Sequence, residues 1–234
     1  MTVALEKHAV RVILGESIER RDRVSLPEPR GGPAKGLREW RKGLPELVGR
    51  RVSLRELRQR DAPALLKHLG HESALTYVAG APRSLDGLRR FIRWGRAQRQ
   101  AGTHLTFGVV PAGQQEAVGL VQLWPIERDF STAEWGFVIG EAYQGSGLFT
   151  GAATLLLDFA FLSLGVMRLE ARAVVEDGRS NRALQRLGAT CEGRLRAGFR
   201  SSDVVLDHVM WSILAPEWPA RQADHRTRRG AEQQ

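Results

Sequence analysis

The chain has 234 residues, of which 42% are hydrophobic, so it can bury a sizeable core. Its single cysteine, Cys191, excludes an intrachain disulfide bond, and no run of about 18 apolar residues is available to span a bilayer. With a net charge of +9 and no signal-peptide pattern in residues 1–15, the sequence indicates a globular, cytoplasmic protein.

The two ends of the chain differ in composition from its middle. Residues 1–50 carry 11 basic and 7 acidic residues, and residues 219–234 carry 4 and 2, so the flanks hold most of the net charge. A nucleic-acid-binding domain normally concentrates positive charge on its folded surface, and this chain does not. We expect a basic extension with a Pro/Gly linker over 1–46, one folded domain over 47–218 and a polar basic tail over 219–234.

The first half of the predicted domain contains two helices and four strands. Asp61, followed by Pro63, is expected to cap a helix that continues to about residue 69. Ser84 is expected to cap a second helix through about residue 100, with Leu88 and Phe91 on its apolar side. Turn residues separate the β-rich runs, which favours antiparallel hairpins. These runs cover residues 51–57, 105–110, 117–124 and 133–139.

The second half alternates helix and strand. A largely buried helix is predicted over 147–163, because apolar residues occupy more than one of its faces. A strand over 167–175, a helix over 180–187 and strands over 190–196 and 204–214 follow. The predicted fold class is α/β, or α+β with a mixed sheet, with antiparallel strands first and a parallel pair around the central helix.

Residues 144–151 connect a predicted strand to the buried helix. Small residues at the start of this helix let the backbone approach a ligand closely. The first N–H groups of a helix lack intrahelical partners, and together with the helix dipole they suit a pyrophosphate. Leu148 and Phe149 stand where a nucleotide-hydrolase P-loop needs Lys and Ser or Thr. A dinucleotide fingerprint is disfavoured because the glycine pattern is imperfect and lies late in the chain.

This loop and a second segment resemble a known family. Gln144, Gly147 and either Gly151 or Ala152 lie close to the pattern Gln/Arg-x-x-Gly-x-Gly/Ala, the coenzyme A pyrophosphate loop of GNAT acetyltransferases. Residues 176–189 resemble the family's Asn-x-x-Ser-Asn-x-x-Leu-x-Lys/Arg-Leu-Gly segment. The residues are most similar to ribosomal-protein N-terminal acetyltransferases of the RimJ/RimL type, over roughly residues 47–218, and the resemblance implies the GNAT fold.

The resemblance implies acetyl-CoA as the cofactor. The pantetheine arm would lie along the main chain of Phe137, Val138 and Ile139, and Gln144 would position the loop or a phosphate. The other loop contacts implied are the backbone N–H groups of Gly145, Ser146, Gly147, Leu148 and Phe149 and the hydroxyl of Thr150.

The second segment adds three residues to the implied cofactor site. Asn181 would bond the pantetheine arm, and Arg186 would meet a phosphate. Asp177 stands where many relatives have Asn, so it offers acceptors without the amide donor, or it only caps the helix.

Glu134 is the predicted general base, acting through a water, because relatives often have an acidic residue near this position. An N-terminal α-amine has a reference pKa of about 7.7–8.0, against about 10.4 for lysine, so a weak base suffices. The alternatives for Glu134 are an exposed strand residue or a structural ion pair.

The predicted general acid is less well defined. Trp211 and Phe199 stand where relatives often carry a tyrosine, and neither donates a proton as a phenol does. Ser201 and Ser202 are the remaining donors, with a polar hairpin turn as the alternative. Cys191 is expected to be a small buried residue and not a nucleophile.

The resemblance implies transfer of an acetyl group from acetyl-CoA to a primary amine. The acceptor pocket is expected between residues 71–83 and 124–130, where Trp124 and Trp135 line it or belong to the core. The histidine spacing predicts no metal site. The favoured acceptor is a protein N-terminal α-amine. The alternatives are a small-molecule amine, such as an antibiotic or a polyamine, or a non-catalytic acyl-CoA-binding or ribosome-associated module.

Three further expectations concern partners. The resemblance makes a homodimer plausible, and the basic ends suggest a ribosome contact, although a solvated tail is the simpler interpretation. No membrane partner is expected.

Overall fold

The computed structural model describes residues 39–70, 82–127, 129–201 and 204–218. The strands are β1 (Leu47–Val48), β2 (Val52–Glu56), β3 (Leu105–Pro111), β4 (Gly119–Pro125), β5 (Thr132–Ile139), β6 (Arg168–Val174), β7 (Thr190–Ser201) and β8 (Val204–Leu214). The helices are α1 (Ala62–Leu69), α2 (Leu85–Ala101), α3 (Leu148–Asp158) and α4 (Gly178–Leu187).

All eight strands form one sheet in the order β1-β2-β3-β4-β5-β6-β8-β7. Every neighbouring pair is antiparallel except β5 and β6, which are parallel. A parallel pair needs a crossover connection, and α3 supplies it. The predicted mixed sheet, with a parallel pair around the central helix, is confirmed.

Two hydrophobic cores lie on opposite faces of the sheet. α1 and α2 cover one face, where Phe91 and Val138 are buried. α3 and α4 cover the other face, where Leu156 and Trp135 are buried. Successive side chains of a strand point to opposite faces. Glu134 therefore shares the α1/α2 face with Val138.

Local signals explain where the helices begin and end. Ser84 caps α2 by accepting a hydrogen bond from the backbone N–H of Gly87 at 3.1 Å, as predicted. Asp177 caps α4 in the same way, at 3.0 Å from the N–H of Ser180. The predicted helix over 147–163 is divided: α3 ends at residue 158, and a π-helical turn continues over Phe159–Leu164.

Asp61 is the N-cap residue of α1, as predicted, but its side chain accepts no hydrogen bond from this helix. Asp61 lies at the end of a short 3₁₀ turn, Gln59–Asp61, and its side chain is fully buried. Its carboxylate accepts two hydrogen bonds of 2.8 Å from Arg55 and one of 2.7 Å from the backbone N–H of Arg58. Burial alone would raise the pKa of Asp61, but these hydrogen bonds outweigh it and hold the pKa below its ordinary value.

β7 is longer than predicted, and the expectation for Cys191 is wrong. β7 continues past residue 196 across an irregularity between Leu195 and Phe199, where its register with β8 shifts. Asp207 supports this stretch by accepting hydrogen bonds from the backbone N–H of Ala197 at 2.7 Å and from Arg194 at 2.6 Å. Cys191 lies on β7, where it is exposed.

Candidate active site

A cleft opens in the middle of the sheet between β5 and β6. The two strands pair only at their start, where residues 132–134 match residues 168–170. β4 pairs with β5 along its length, so the other edge of β5 carries the main-chain groups that β6 leaves unpaired beyond Glu134. Phe137, Val138 and Ile139 lie on this part of β5. An extended ligand can add to this edge as a further strand would.

The glycine loop continues from the end of β5 into α3. Gly145 and Gly147 have φ angles of +78° and +79°, in the left-handed region that favours glycine. The Gln144 side chain donates to the carbonyl oxygen of Ile139 at 3.3 Å, which ties the loop to β5. The small, exposed loop residues lead directly into the start of α3 next to the cleft, where the sequence predicts an anion site.

Side chains at the start of α3 fix this helix in place. Phe149 packs against Phe137 with ring centroids 4.3 Å apart, so its side chain belongs to the core and only its backbone is available to a ligand. A Cβ on Gly151 would lie 2.8 Å from Cγ1 of Val52, so glycine permits the close approach of α3 to β2. Thr150 is half-buried on the first turn of the helix.

Arg51, which belongs to no motif in the sequence, lies beside the loop. Its guanidinium donates to the carbonyl oxygen of Ser146 at 3.5 Å, and Nη1 lies 3.6 Å from the position of a Cβ on Gly147. The signal in the sequence is weak, because one arginine before a strand is common and only tertiary folding brings residues 51 and 146 together.

Asn181 uses its side chain within the protein. Nδ2 donates to the carbonyl oxygens of Val174 at 2.8 Å and Asp177 at 2.9 Å. Oδ1 accepts from the indole N–H of Trp211 at 2.9 Å. Trp211, at the position considered for a tyrosine, thus joins Asn181 in holding α4 against the end of β6. Arg186, in the last turn of α4, is exposed.

Glu134 is buried, so the alternative of an exposed strand residue is wrong. Its side chain lies where β5 and β6 begin to separate, and Nη1 of Arg172 is 3.6 Å from its carboxylate. Arg172 also lies 3.7 Å from Glu170. Burial lowers the pKa of Arg172. Glu134 therefore forms an ion pair with Arg172, and this ion pair lies at the cleft.

The ionic contacts continue from the cleft toward the surface. Arg168 contacts Glu170 at 2.9 Å and Glu192 at 2.5 Å, and Glu192 also accepts from Ser212. The hydrogen bonds from Arg168 and Ser212 lower the pKa of Glu192 to about 2. This chain of charges fixes β6 against β8 and β7 beside the cleft.

The predicted general acids are not brought to the site by any described contact. Ser201 is the last residue of β7, and Ser202 lies outside the described residues. Tyr143 packs against His68, with ring centroids 5.2 Å apart, and its hydroxyl is 3.3 Å from Gln114. Phe199 is buried. These contacts pack Tyr143 against α1 and do not direct its hydroxyl to the cleft.

The two tryptophans considered for the acceptor pocket lie on different faces. Trp135 packs with Phe137 and Phe149 on the α3 face. Trp124 is buried on β4 beside His104, with ring centroids 6.1 Å apart. The acceptor pocket was expected between residues 71–83 and 124–130. Of these two segments, residues 71–81 and Arg128 lie outside the described residues.

Two absences hold for the part of the chain that the structure describes. No group of three or more His, Cys, Asp or Glu there is arranged to hold a metal ion. No helix there has the length and apolar character needed to cross a membrane.

Comparison with known proteins identifies relatives of this chain. It is 30% identical to the probable N-acetyltransferase YjcK of Bacillus subtilis over 135 residues, which is 57% of this chain and 75% of YjcK. It is 26% identical to the Escherichia coli [ribosomal protein uS5]-alanine N-acetyltransferase over 118 residues, 50% of this chain and 61% of the relative. It is 34% identical to the E. coli spermidine N(1)-acetyltransferase over 112 residues, 48% and 59% of the two chains.

Solved structures have the same fold. A GCN5-related N-acetyltransferase from Brucella melitensis superposes with a TM-score of 0.69 at 23% identity, covering 78% of this chain and 84% of that one. Mycobacterium smegmatis RimJ, in complex with CoA-disulfide, superposes with a TM-score of 0.67 at 24% identity, covering 74% and 88%.

The family assignment rests on sequence over more than half of the chain. The acetyltransferase (GNAT) domain matches residues 51–190, which include β5, the cleft, the glycine loop and α4. The cleft and the loop fit the cofactor that this family uses, and the interpretation as a non-catalytic module loses its support. The chain therefore belongs to the GNAT acetyltransferase family and is an acetyl-CoA-dependent N-acetyltransferase.

Proposed function

We propose that this acetyltransferase modifies the N-terminal α-amine of a protein. The pairing of buried Glu134 with Arg172 at 3.6 Å carries the proposal. A neighbouring cation favours the charged form of a buried carboxylate, which is the form that accepts a proton. An α-amine, with a reference pKa of about 7.7–8.0 against about 10.4 for a lysine amine, is the primary amine for which a weak base suffices.

Bound acetyl-CoA supplies the acetyl thioester. The backbone N–H groups of residues 145–149 and the dipole of α3 bind its phosphates. The free edge of β5 at residues 137–139 orients its extended arm. Glu134 accepts a proton from the acceptor amine through a water, on a face from which the helices exclude bulk solvent.

For the residues around the cofactor loop and α4, we propose roles that take their contacts within the protein into account. Gln144 positions the loop, and Arg51 adds positive charge for a phosphate together with Arg186. Asp177 and Asn181 hold α4 against the end of β6 and act on the cofactor through that placement. Ser201 and Ser202 remain the proposed acids for the departing thiolate.

A small-molecule amine is the second candidate. Glu134 and Glu170 are direct neighbours on β5 and β6, and paired carboxylates suit a polycation. The relative named as a spermidine acetyltransferase also favours this candidate. Against it, Arg172 contacts both carboxylates and offsets part of their charge.

The test is mass spectrometry of amine products. The chain is incubated with acetyl-CoA and a panel of peptides with free N-terminal alanine or serine, the same peptides blocked at the α-amine but carrying lysine, and spermidine. We expect acetylation at the free α-amines. Preferential acetylation of spermidine would establish the second candidate, and acetylation of lysine in the blocked peptides would contradict the argument from a weak base.

Glu134→Gln is the matched variant, since it keeps the shape of the side chain and removes the base. We expect it to lower kcat about 100-fold, with acetyl-CoA affinity retained. Equal rates for the two proteins would remove Glu134 from the mechanism.

The proposed partners follow from the acceptor and the charge distribution. We propose a cytoplasmic protein whose basic ends, residues 1–46 and 219–234, contact the ribosome, and whose domain over 47–218 forms a homodimer. Co-sedimentation with ribosomes at increasing salt tests the first contact, and sedimentation equilibrium tests the second.

A further inference from the structure

The side-chain amide of Gln122, in the middle of β4, has a hydrogen-bond partner for its nitrogen but none for its oxygen among the described residues. Its side chain is fully buried, and Nε2 donates to Oγ1 of Thr106 at 3.0 Å. Oε1 has no hydrogen-bond partner among the described residues. A buried acceptor without a partner costs about 1–3 kcal/mol, so such an atom requires an explanation.

The register of the sheet places Gln122 at the cleft. Gln122 is paired with Gly136 on β5, and the next pair on the same face joins Trp124 to Glu134. Gly136 has no side chain, so at this register no side chain of β5 separates Gln122 from the cleft. Arg172 follows Glu170, the direct neighbour of Glu134, by two residues on β6 and so lies on this face.

The orientation of Gln122 is fixed from the β3 side. Nε2 and Oε1 diverge from one carbon, so the bond from Nε2 to Thr106 turns Oε1 away from that hydroxyl. α2 closes the space over Thr106, because a Cβ on Gly95 would lie 3.5 Å from its Oγ1. Gly136 on β5 is on the opposite side of Gln122 from Thr106.

We propose that Oε1 of Gln122 accepts a hydrogen bond from an N–H of the acceptor amine. This inference rests on the proposed function. The attacking amine must direct its lone pair at the thioester, so its N–H groups need acceptors elsewhere. Oε1 is such an acceptor, buried and one residue pair from the proposed base. The amide takes no proton itself, and Gln122 therefore positions the amine for Glu134.

The test variant is Gln122→Met, which keeps the approximate length of the side chain and removes the acceptor. With the alanine and serine peptides as probes, we expect KM for the peptide to rise on the order of tenfold, the effect of one hydrogen bond. KM for acetyl-CoA should change less than twofold, on the order of the scatter between assays. The melting temperature should change little, because the variant removes the unsatisfied Oε1 but leaves Oγ1 of Thr106 without its partner.

Gln122→Met combined with Thr106→Val is the structural control, since it removes both ends of the internal hydrogen bond. The double variant should be at least as stable as the native chain and should show the same rise in peptide KM. A hydrogen bond with only a structural role would instead lower the melting temperature of Gln122→Met alone and leave the peptide KM unchanged in both variants.

Two failures are distinguishable. If the native chain acetylates none of the amines, the proposed function is wrong and this inference falls with it. If the native chain acetylates a peptide and Gln122→Met does so with an unchanged KM, the inference alone is wrong.

Discussion

At the scale of single residues, the buried ion pairs Arg55–Asp61 and Arg172–Glu134 have different roles. Arg55 and Asp61 make two short hydrogen bonds far from the cleft and hold β2 to the start of α1. Arg172 and Glu134 are 3.6 Å apart and lie at the mouth of the cleft. The close, fully hydrogen-bonded pair suits a structural role, and the looser pair leaves the carboxylate able to exchange a proton.

Asp61→Asn should destabilise the protein by about 3–5 kcal/mol, because it leaves Arg55 buried without a counter-charge. Urea unfolding at pH 7 measures this change. Asp86→Asn is the control, since Asp86 is 78% exposed in its pair with Arg89, and its effect should be within about 0.5 kcal/mol. Similar losses in the two variants would contradict the structural role of Asp61.

The lowered pKa of Asp61 also fixes the direction of a pH effect. The unfolded state binds the proton more readily, so the stabilisation is present above the unfolded pKa of about 3.9 and is lost as the pH falls through the lower folded pKa. The native chain should lose more stability than Asp61→Asn on acidification below about pH 4. Parallel curves would show that Asp61 does not contribute.

Arg172→Gln should move the acid limb of the kcat/KM profile to higher pH, because Glu134 loses the cation that favours its charged form. The pH profile of kcat/KM with a peptide acceptor measures the shift. Arg168→Gln is the control, since Arg168 contacts Glu170 and Glu192. An unshifted acid limb in Arg172→Gln would contradict the role given to the pair.

At the scale of elements, the loop from β5 to α3 depends on two glycines with positive φ. Gly145→Ala should destabilise the fold by about 1–2 kcal/mol, the strain of a left-handed residue with a Cβ, and should weaken CoA binding about tenfold. Calorimetric titration with CoA and thermal unfolding measure the two effects.

Gly113 provides a matched control for Gly145. Both residues have a φ of +78°, and a Cβ at either position would have no atom within 4 Å. Gly113→Ala should therefore show the same loss of stability with unchanged CoA affinity. A loss of CoA affinity in both variants would mean that the effect reflects general destabilisation and not the loop.

The elements were largely predictable because their signals are local. A short window of sequence is enough to recognise the helix caps Ser84 and Gly188 and the apolar faces of α2 and α3. The position of Asp61 at the N-cap of α1 was readable, but a capping pattern does not show that Arg55 and the N–H of Arg58 bind its carboxylate instead. β7 was cut short because its continuation depends on support from Asp207 on another strand.

At the scale of the whole molecule, the separation of β5 from β6 is the feature that sequence patterns do not contain. The loop motif and the family resemblance predicted the loop and Glu134, but not Arg51, Arg172 or Gln122. Arg51 contacts the loop through tertiary packing, and strand pairing brings Arg172 and Gln122 near β5. The family resemblance also implied that a ligand lies along residues 137–139. The structure adds the cleft and the side chains that surround it.

His208 links the stability of this half of the sheet to pH. It is fully buried on β8, and burial, with the positive charge of Arg172, lowers its pKa to about 4. Since the unfolded reference is about 6.5, stability should fall by about 2 kcal/mol between pH 7 and pH 5. His208→Leu should lose less over this range. Equal losses in urea unfolding would contradict the assignment.

A crystal structure with CoA tests the central claim most directly. The account predicts phosphate oxygens within hydrogen-bonding distance of the backbone N–H groups of residues 145–149, with the pantetheine arm beside residues 137–139 of β5 and its sulfur on the side of Glu134. CoA bound elsewhere on the chain, with β5 and β6 closed against each other, would contradict it.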